Sequence, residues 1–186
     1  MVTGHRQIHH RGLVAQRMTT VLERYRPDGV VVISGGAEGA DTLWAQAGVD
    51  AAVPVTLMLP NRHYRSRYPK AISDQLVTAC KVSYVVERPN VSDWNARWDT
   101  ERWFVDNFAR NTAMIDAADI AIVVSNKHPR ELLDDAKGGT AQSVKTLAKR
   151  GARVLWLPDR VNPDLTWVQL TVGEEPQPAS TLFPTV

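Results

Sequence analysis

Residues 30–41 read VVVISGGAEGAD, and this stretch decides the fold class. Residues 30–33 form a short, β-branched apolar run, which is typical of a buried strand. Gly35 and Gly36 end the run and allow the chain to turn tightly. The residues from Ala40 onward follow a helical pattern, so the stretch predicts a strand, a glycine turn and a helix in succession.

The same succession repeats along the rest of the chain. Apolar runs predict further strands at residues 1–3, 55–59, 82–86, 120–124 and 154–157. Helical spacing predicts helices near residues 14–25, 40–52, 69–80, 104–118 and 144–150. Continuous apolar strands that alternate with helices are typical of a parallel sheet covered on both faces. The predicted fold is therefore α/β, with about six parallel strands.

The chain of 186 residues has the length of one domain. Neither an internal repeat nor a linker divides it, and we assign residues 1–157 to the domain. Residues 158–186 contain five prolines and are predicted to form an irregular C-terminal tail. Within that tail, residues 166–172 could add one edge strand.

Composition excludes several classes of protein. The single cysteine, Cys80, excludes an intramolecular disulfide and a four-cysteine zinc site. No apolar run is long enough to span a membrane, and no signal-peptide core is present, so we expect a soluble cytoplasmic protein without a membrane partner. His5, His9, His10 and His63 lack cysteine or carboxylate neighbours at ligand spacing, and no metal site is predicted.

Charge points to a local anion site. The formal net charge of +2 is too small for a general nucleic-acid coat. Basic residues are instead concentrated at residues 5–17 and 62–70, whereas acidic residues gather at 93–106 and 131–135. This distribution favours a small anionic ligand.

Three glycine-bearing segments carry the predicted chemistry. The first glycine turn is residues 3–6, the second is residues 34–41 and the third is residues 137–141. Each follows a predicted strand, and the second and third open a helix, whose N-terminal amides suit a phosphate group. None of them matches the Gly-x-Gly-x-x-Gly or P-loop pattern. Because open α/β sheets bind ligands at the carboxyl ends of their strands, we expect the turns to meet at one pocket.

The predicted ligand-binding residues come from these turns and from one helix. Arg110 could hold a phosphate in bidentate fashion, with Asn111 beside it. A tight turn without a ligand is the alternative reading of each segment, and Asp41 could equally brace its turn. The full set is Gly4, His5, Arg6, Ser34, Gly35, Gly36, Ala37, Glu38, Gly39, Asp41, Arg110, Asn111, Lys137, Gly138, Gly139 and Thr140.

The order of these motifs resembles the SLOG superfamily and, within it, the YspA/YpsA-like Rossmannoid proteins. The resemblance rests mainly on residues 3–6, 35–41, 110–114 and 139–141, and it covers roughly residues 1–157. It implies a Rossmann-like open sheet and a nucleotide or nucleotide-derived ligand at the glycine turns, and no separate cofactor is predicted. It does not imply one reaction, because the superfamily includes LOG-type phosphoribohydrolases, the DNA-processing protein DprA and carriers.

One departure from the LOG-type hydrolases bears on catalysis. Their catalytic glutamate, three residues after the threonine of the Gly-Thr pair, corresponds to Ser143 here. Neither Ser143 nor Gln142 supplies a carboxylate. If the chain is an enzyme, we expect an N-glycosidic hydrolase that acts on a nucleotide, with Arg110 and Glu38 as candidate catalytic residues.

Three functional hypotheses follow. The favoured one is binding of a phosphorylated nucleotide without chemistry, as a sensor, carrier or sequestering protein. The alternatives are LOG-like phosphoribohydrolysis with a displaced acid and DprA-like binding of single-stranded DNA. The stretch at residues 94–108 is rich in tryptophan and phenylalanine, which predicts a homo-oligomer, as the resemblance also implies.

Overall fold

A computed structural model describes residues 1–64, 73–87, 99–134, 137–161 and 166–178. Within these ranges the strands are β1 (Val2–Gly4), β2 (Val32–Ser34), β3 (Val55–Leu59), β4 (Lys81–Tyr84), β5 (Ala121–Ser125), β6 (Arg153–Pro158), β7 (Thr166–Gln169) and β8 (Gln177–Pro178). The α-helices are α1 (Arg11–Tyr25), α2 (Ala40–Asp50), α3 (Asp74–Thr78), α4 (Asp99–Asp116), α5 (Pro129–Leu133) and α6 (Gly139–Lys149), and a short 3-10 helix spans Arg26–Asp28.

The strands form two hydrogen-bonded sheets, which we call the five-stranded and the three-stranded ladder. The order is β1-β5-β6-β7-β8 in one and β2-β3-β4 in the other. Strands β1, β5 and β6 are parallel, as are β2, β3 and β4, whereas β7 and β8 join by antiparallel pairing. The α/β class and the predominance of parallel strands are confirmed. The expectation of one parallel sheet is wrong at two points, since the sheet divides between β1 and β2 and ends in an antiparallel edge.

Helices cover both faces of the five-stranded ladder, as predicted. On β5, Ile122 and Val124 pack into a hydrophobic cluster with residues of α1 and α2. Ala121 and Val123 lie on the opposite face and pack with residues of α4 and α6. All residues of β5 are buried, which explains why this strand reads as a continuous apolar run.

Helix α2 joins the two ladders, because it contacts β1, β2 and β3. Gly48 permits its close approach to the second ladder, since a Cβ atom there would lie 2.7 Å from Val55 Cγ2 and 3.0 Å from Val32 Cγ2. At the other ladder, a Cβ atom on Gly4 would lie 2.6 Å from Ala40 Cβ. The division between β1 and β2 is therefore spanned by a helix packed on glycines.

The proline-containing tail adds β7 and β8 to the sheet, and β7 corresponds to the predicted edge strand. Its first residues also hold α1 in place. The Asp159 carboxylate accepts hydrogen bonds from the backbone amides of His9 and His10, at 2.7 and 2.8 Å. Arg17 Nη1 donates to the Pro158 carbonyl oxygen at 2.6 Å. Residues 179–186 lie outside the described ranges.

Trp44 and Trp156 are buried. The predicted partner surface depends largely on Trp94, Trp98 and Trp103, which lie outside the described side chains, so oligomerisation stays a prediction. Within the described ranges, no helix combines the length and the apolar character needed to cross a bilayer.

Candidate functional site

The three glycine turns meet at one cavity of about 410 Å³ at the carboxyl edge of the sheet. The predicted convergence of the turns is thereby confirmed. Of the predicted set, the structure places eleven residues in the cavity wall: Gly4, His5, Arg6, Ala37, Asp41, Arg110, Asn111, Lys137, Gly138, Gly139 and Thr140. Ser34, Gly35, Gly36, Glu38 and Gly39 are outside that wall, in the turn behind it. Binding of a ligand by any of these residues stays a prediction.

The first glycine turn lies between the other two. The Ala40 amide donates to the His5 carbonyl oxygen at 3.2 Å, which attaches the second turn. Thr140 Oγ1 donates to the Gly4 carbonyl oxygen at 2.8 Å, which attaches the third. Gly39 must be glycine, because its φ is 91° and a Cβ atom would lie 2.3 Å from the His5 carbonyl oxygen.

The second glycine turn is filled by its own side chains. Ser34 Oγ donates to the Asp41 carbonyl oxygen at 2.7 Å and accepts from the Gly36 amide at 3.3 Å. The Asp41 carboxylate accepts from the Ala37 amide at 3.2 Å. Burial raises the pKa of Asp41 above its ordinary value, and the nearby Arg110 guanidinium opposes this rise. The turn therefore contains an internal anion and its counter-charge.

Arg110 makes contacts within the protein that the sequence did not indicate. Its Nη1 donates to the Gly35 carbonyl oxygen and lies 3.4 Å from Asp41 Oδ2, while Nη2 lies 3.4 Å from Asn107 Oδ1. Arg110 and Asp41 are both buried. Although Arg110 reaches the cavity wall, its terminal nitrogens brace the second turn, so we expect bracing to be its main contribution.

The third glycine turn is open. Helix α6 begins after Gly138 with no side-chain cap and no acidic residue in its first turn. Its first amides have no carbonyl partner within the helix, as at every helix start. Asn111 Nδ2 steadies the turn from α4 by donating to the Gly139 carbonyl oxygen at 3.3 Å and to Gln142 Oε1 at 3.0 Å. Residues 137–141 line the cavity.

Glycine is required at Gly138 rather than at Gly139. Gly138 has a φ of 101°, which side chains rarely adopt. Gly139 lies outside the left-handed region, and a Cβ atom on it would meet only Asn111 Nδ2, at 3.4 Å.

The cavity wall carries more positive than negative charge. The described lining residues include one carboxylate, Asp41, and four cationic side chains, those of Arg6, Arg110, Lys127 and Lys137. His5 Nε2 lies 2.9 Å from Ser125 Oγ. Burial and the neighbouring charge of Lys127 lower the pKa of His5, so its imidazole is neutral at neutral pH.

The candidate acids of a hydrolase are poorly placed. Glu38 is exposed and does not line the cavity. Ser143 is buried, and its Oγ donates to the Gly139 carbonyl oxygen at 3.0 Å. Asp41 is the one carboxylate among the described lining residues, and it accepts a hydrogen bond from the Ala37 amide of the second turn. Among the described residues, no three histidine, cysteine or acidic side chains gather as a metal site would require.

Several lining residues were missed by sequence reasoning. Lys127 follows the end of β5, where the rule used for the turns could have found it. Phe104, Phe108 and Ile115 follow one another at helical spacing on α4, but Ile115 is in the core, whereas the two phenylalanines line the cavity. Helical spacing alone does not distinguish a core face from a cavity face.

Neither a family model nor a curated protein sequence matches this chain. The resemblance to the SLOG superfamily therefore stays a prediction that rests on the motifs themselves. The function has to be argued from the geometry of the cavity.

Proposed function

We propose that the chain binds a nucleotide or nucleotide-derived phosphorylated ligand in this cavity, with a phosphate at the start of α6. The observation that carries the proposal is the third glycine turn, which precedes a helix without a side-chain cap and lines a cavity with four cationic side chains. Helix N-termini and lysine side chains both stabilise phosphate oxygens. The resemblance to nucleotide-binding Rossmannoid proteins supports the same ligand class.

The structure favours the third turn over the second as the phosphate site. In the second turn, the amide of Ala37 already donates to Asp41, and a phosphate there would approach a carboxylate. In the third turn, Lys137 is exposed beside Gly138 and Gly139. Lys127 and Arg6 extend the positive field along the same wall.

Binding without chemistry fits the wall better than hydrolysis. A glycoside hydrolase needs a carboxylate at the scissile bond, and Asp41 is bonded to the second turn and to Arg110. Glu38 is exposed and would have to move into the cavity to reach a bound ligand. A role as a sensor, carrier or sequestering protein follows, and LOG-like hydrolysis is the alternative.

Calorimetry with ribonucleoside monophosphates and the matching nucleosides tests the proposal. We expect the monophosphate to bind more tightly, and Lys137→Ala to weaken it about 5-fold, as for an exposed ion pair of roughly 1 kcal/mol. Lys149→Ala is the matched control, because it removes the same charge at the other end of α6. Equal affinity of nucleoside and monophosphate would contradict the proposal.

An assay for released base separates binding from hydrolysis. We expect no base to be released from any monophosphate that binds. Release that disappears in Glu38→Gln, with affinity retained, would support the hydrolase instead.

A further inference from the structure

The cavity has a second, aromatic end that the phosphate site does not use. Phe104 and Phe108, both on α4, line it together with the cationic residues. Their ring centroids are 6.3 Å apart and their planes are tilted by 42°. Phe104 is 51% exposed, although it belongs to a helix whose other face packs in the core.

The position of this aromatic end is fixed by α4. Phe104, Asn107, Phe108 and Asn111 follow helical spacing and all line the cavity. Asn111 touches the third turn through the Gly139 carbonyl oxygen. Phe104 is two helical turns before Asn111, about 10 Å along the axis. The aromatic end therefore lies at least the length of a sugar from the proposed phosphate position.

We infer that Phe104 and Phe108 form a stacking platform for the nucleobase of the bound ligand, and that they determine its preference for nucleotides over sugar phosphates. The inference rests on the proposed function and deepens it. An exposed phenyl ring beside a cationic wall suits a ligand that is planar at one end and anionic at the other. A cavity of about 410 Å³ is within the usual size range of small-molecule sites.

A second copy of the chain is the competing occupant of this surface. Val105, next to Phe104, is 60% exposed but does not line the cavity. A protein interface on this part of α4 would cover both Phe104 and Val105, whereas a nucleobase in the cavity would contact Phe104 but not Val105. Val105→Ala is therefore the matched control for Phe104→Ala.

The test compares the four ribonucleoside monophosphates with ribose 5-phosphate, which has the phosphate and sugar but no base. We expect at least one monophosphate to bind about 5- to 100-fold more tightly than ribose 5-phosphate, as for stacking of one base. Phe104→Ala should remove most of this ratio and leave the affinity for ribose 5-phosphate unchanged. Phe104→Tyr and Val105→Ala should both keep the ratio.

The outcomes separate the two proposals. If ribose 5-phosphate and every monophosphate bind equally, the stacking inference is overturned and the phosphate site stands. If Phe104→Ala and Val105→Ala both lower the oligomeric state in light scattering without changing the ratio, the surface is a protein interface and the inference is again overturned. If neither kind of phosphate binds, the proposed function fails, and the inference fails with it.

Discussion

The second and third glycine turns follow the same pattern in sequence, yet only the second turn has a carboxylate of its own that accepts a backbone hydrogen bond. In the second turn, the amides of Gly36 and Ala37 donate to Ser34 and Asp41. Helices α2 and α6 both start without a side-chain cap, but the first turn of α6 has no acidic residue. The second turn is bonded to a carboxylate of its own, whereas residues of the third turn line the cavity without one.

The difference comes from a pair of buried charges. Asp41 is in the first turn of α2, where its carboxylate accepts a hydrogen bond from the Ala37 amide, and the Arg110 guanidinium on α4 lies 3.4 Å from it. The first turn of α6 has no acidic residue. Two glycine-rich strand–turn–helix segments of similar sequence thus differ in whether the segment carries its own carboxylate.

Removal of Arg110 should have the largest effect on stability, because Arg110 contacts the buried Asp41 carboxylate of the second turn. Arg110→Ala leaves Asp41 buried without its counter-charge, which we expect to lower the free energy of unfolding by about 3–5 kcal/mol at neutral pH. The pKa of Asp41 is already raised by burial, and it should rise further. A carboxyl with a raised pKa in the folded state costs stability as the pH rises above its unfolded pKa, so the loss should be smaller near about pH 4.

Urea unfolding at both pH values measures the effect of Arg110→Ala. The double variant Arg110→Ala/Asp41→Asn is the control, since it removes the uncompensated charge and should recover part of the loss. A loss that is the same at both pH values would show that Arg110 does not act through Asp41.

Alanine at one glycine of each turn should have a smaller effect on stability than loss of Arg110, and the effect should be larger in the second turn than in the third. A Cβ atom at Gly35 would lie 1.8 Å from Arg110 Nη1 and 2.6 Å from Asp41 Oδ2, so the buried pair must move. We expect Gly35→Ala to lower the free energy of unfolding by about 2 kcal/mol or more. Gly139→Ala, where the nearest atom is at 3.4 Å, should change it by no more than about 1 kcal/mol. Equal unfolding midpoints for the two variants would contradict the closed state of the second turn.

The smallest expected effect is at His5, which faces the open side of the cavity. Burial and Lys127 lower its pKa, so the unfolded state binds more protons between that pKa and the ordinary value of 6.5. Wild-type stability should therefore rise with pH through this window, and His5→Gln should flatten the rise. A bound phosphate should raise the pKa of His5, which NMR titration of its imidazole signals measures. An unchanged pKa at saturation would place the phosphate away from His5.

The local elements could be predicted from the sequence because their signals are local. The run at residues 55–59 is β3 itself, and the other strands predicted within residues 1–157 are within two residues of the observed bounds, whereas the predicted edge strand at 166–172 ends three residues beyond β7. The meeting of the three turns followed from parallel pairing, since the carboxyl ends of parallel strands share one edge. These parts depend on β-branched runs and on glycine.

The partners of buried polar groups could not be predicted in the same way. Nothing near Arg110 in sequence indicates whether its guanidinium reaches a ligand or Asp41, which is 69 positions away. The division between β1 and β2 is equally non-local, because it depends on how α2 packs across both strands. The alternation of strands and helices is the same for a continuous sheet and for a divided one.

The register of β1 has a consequence for the order of assembly during synthesis. Val2 pairs with Ile122, so the strand that carries the first glycine turn has to wait for β5 before it has a neighbour. The ladder of β2, β3 and β4 is complete in sequence once Tyr84 has been made. Pairing between strands so far apart in the chain is slow. A nascent chain that ends before Ala141 lacks part of the cavity wall, so the cavity is completed late in synthesis.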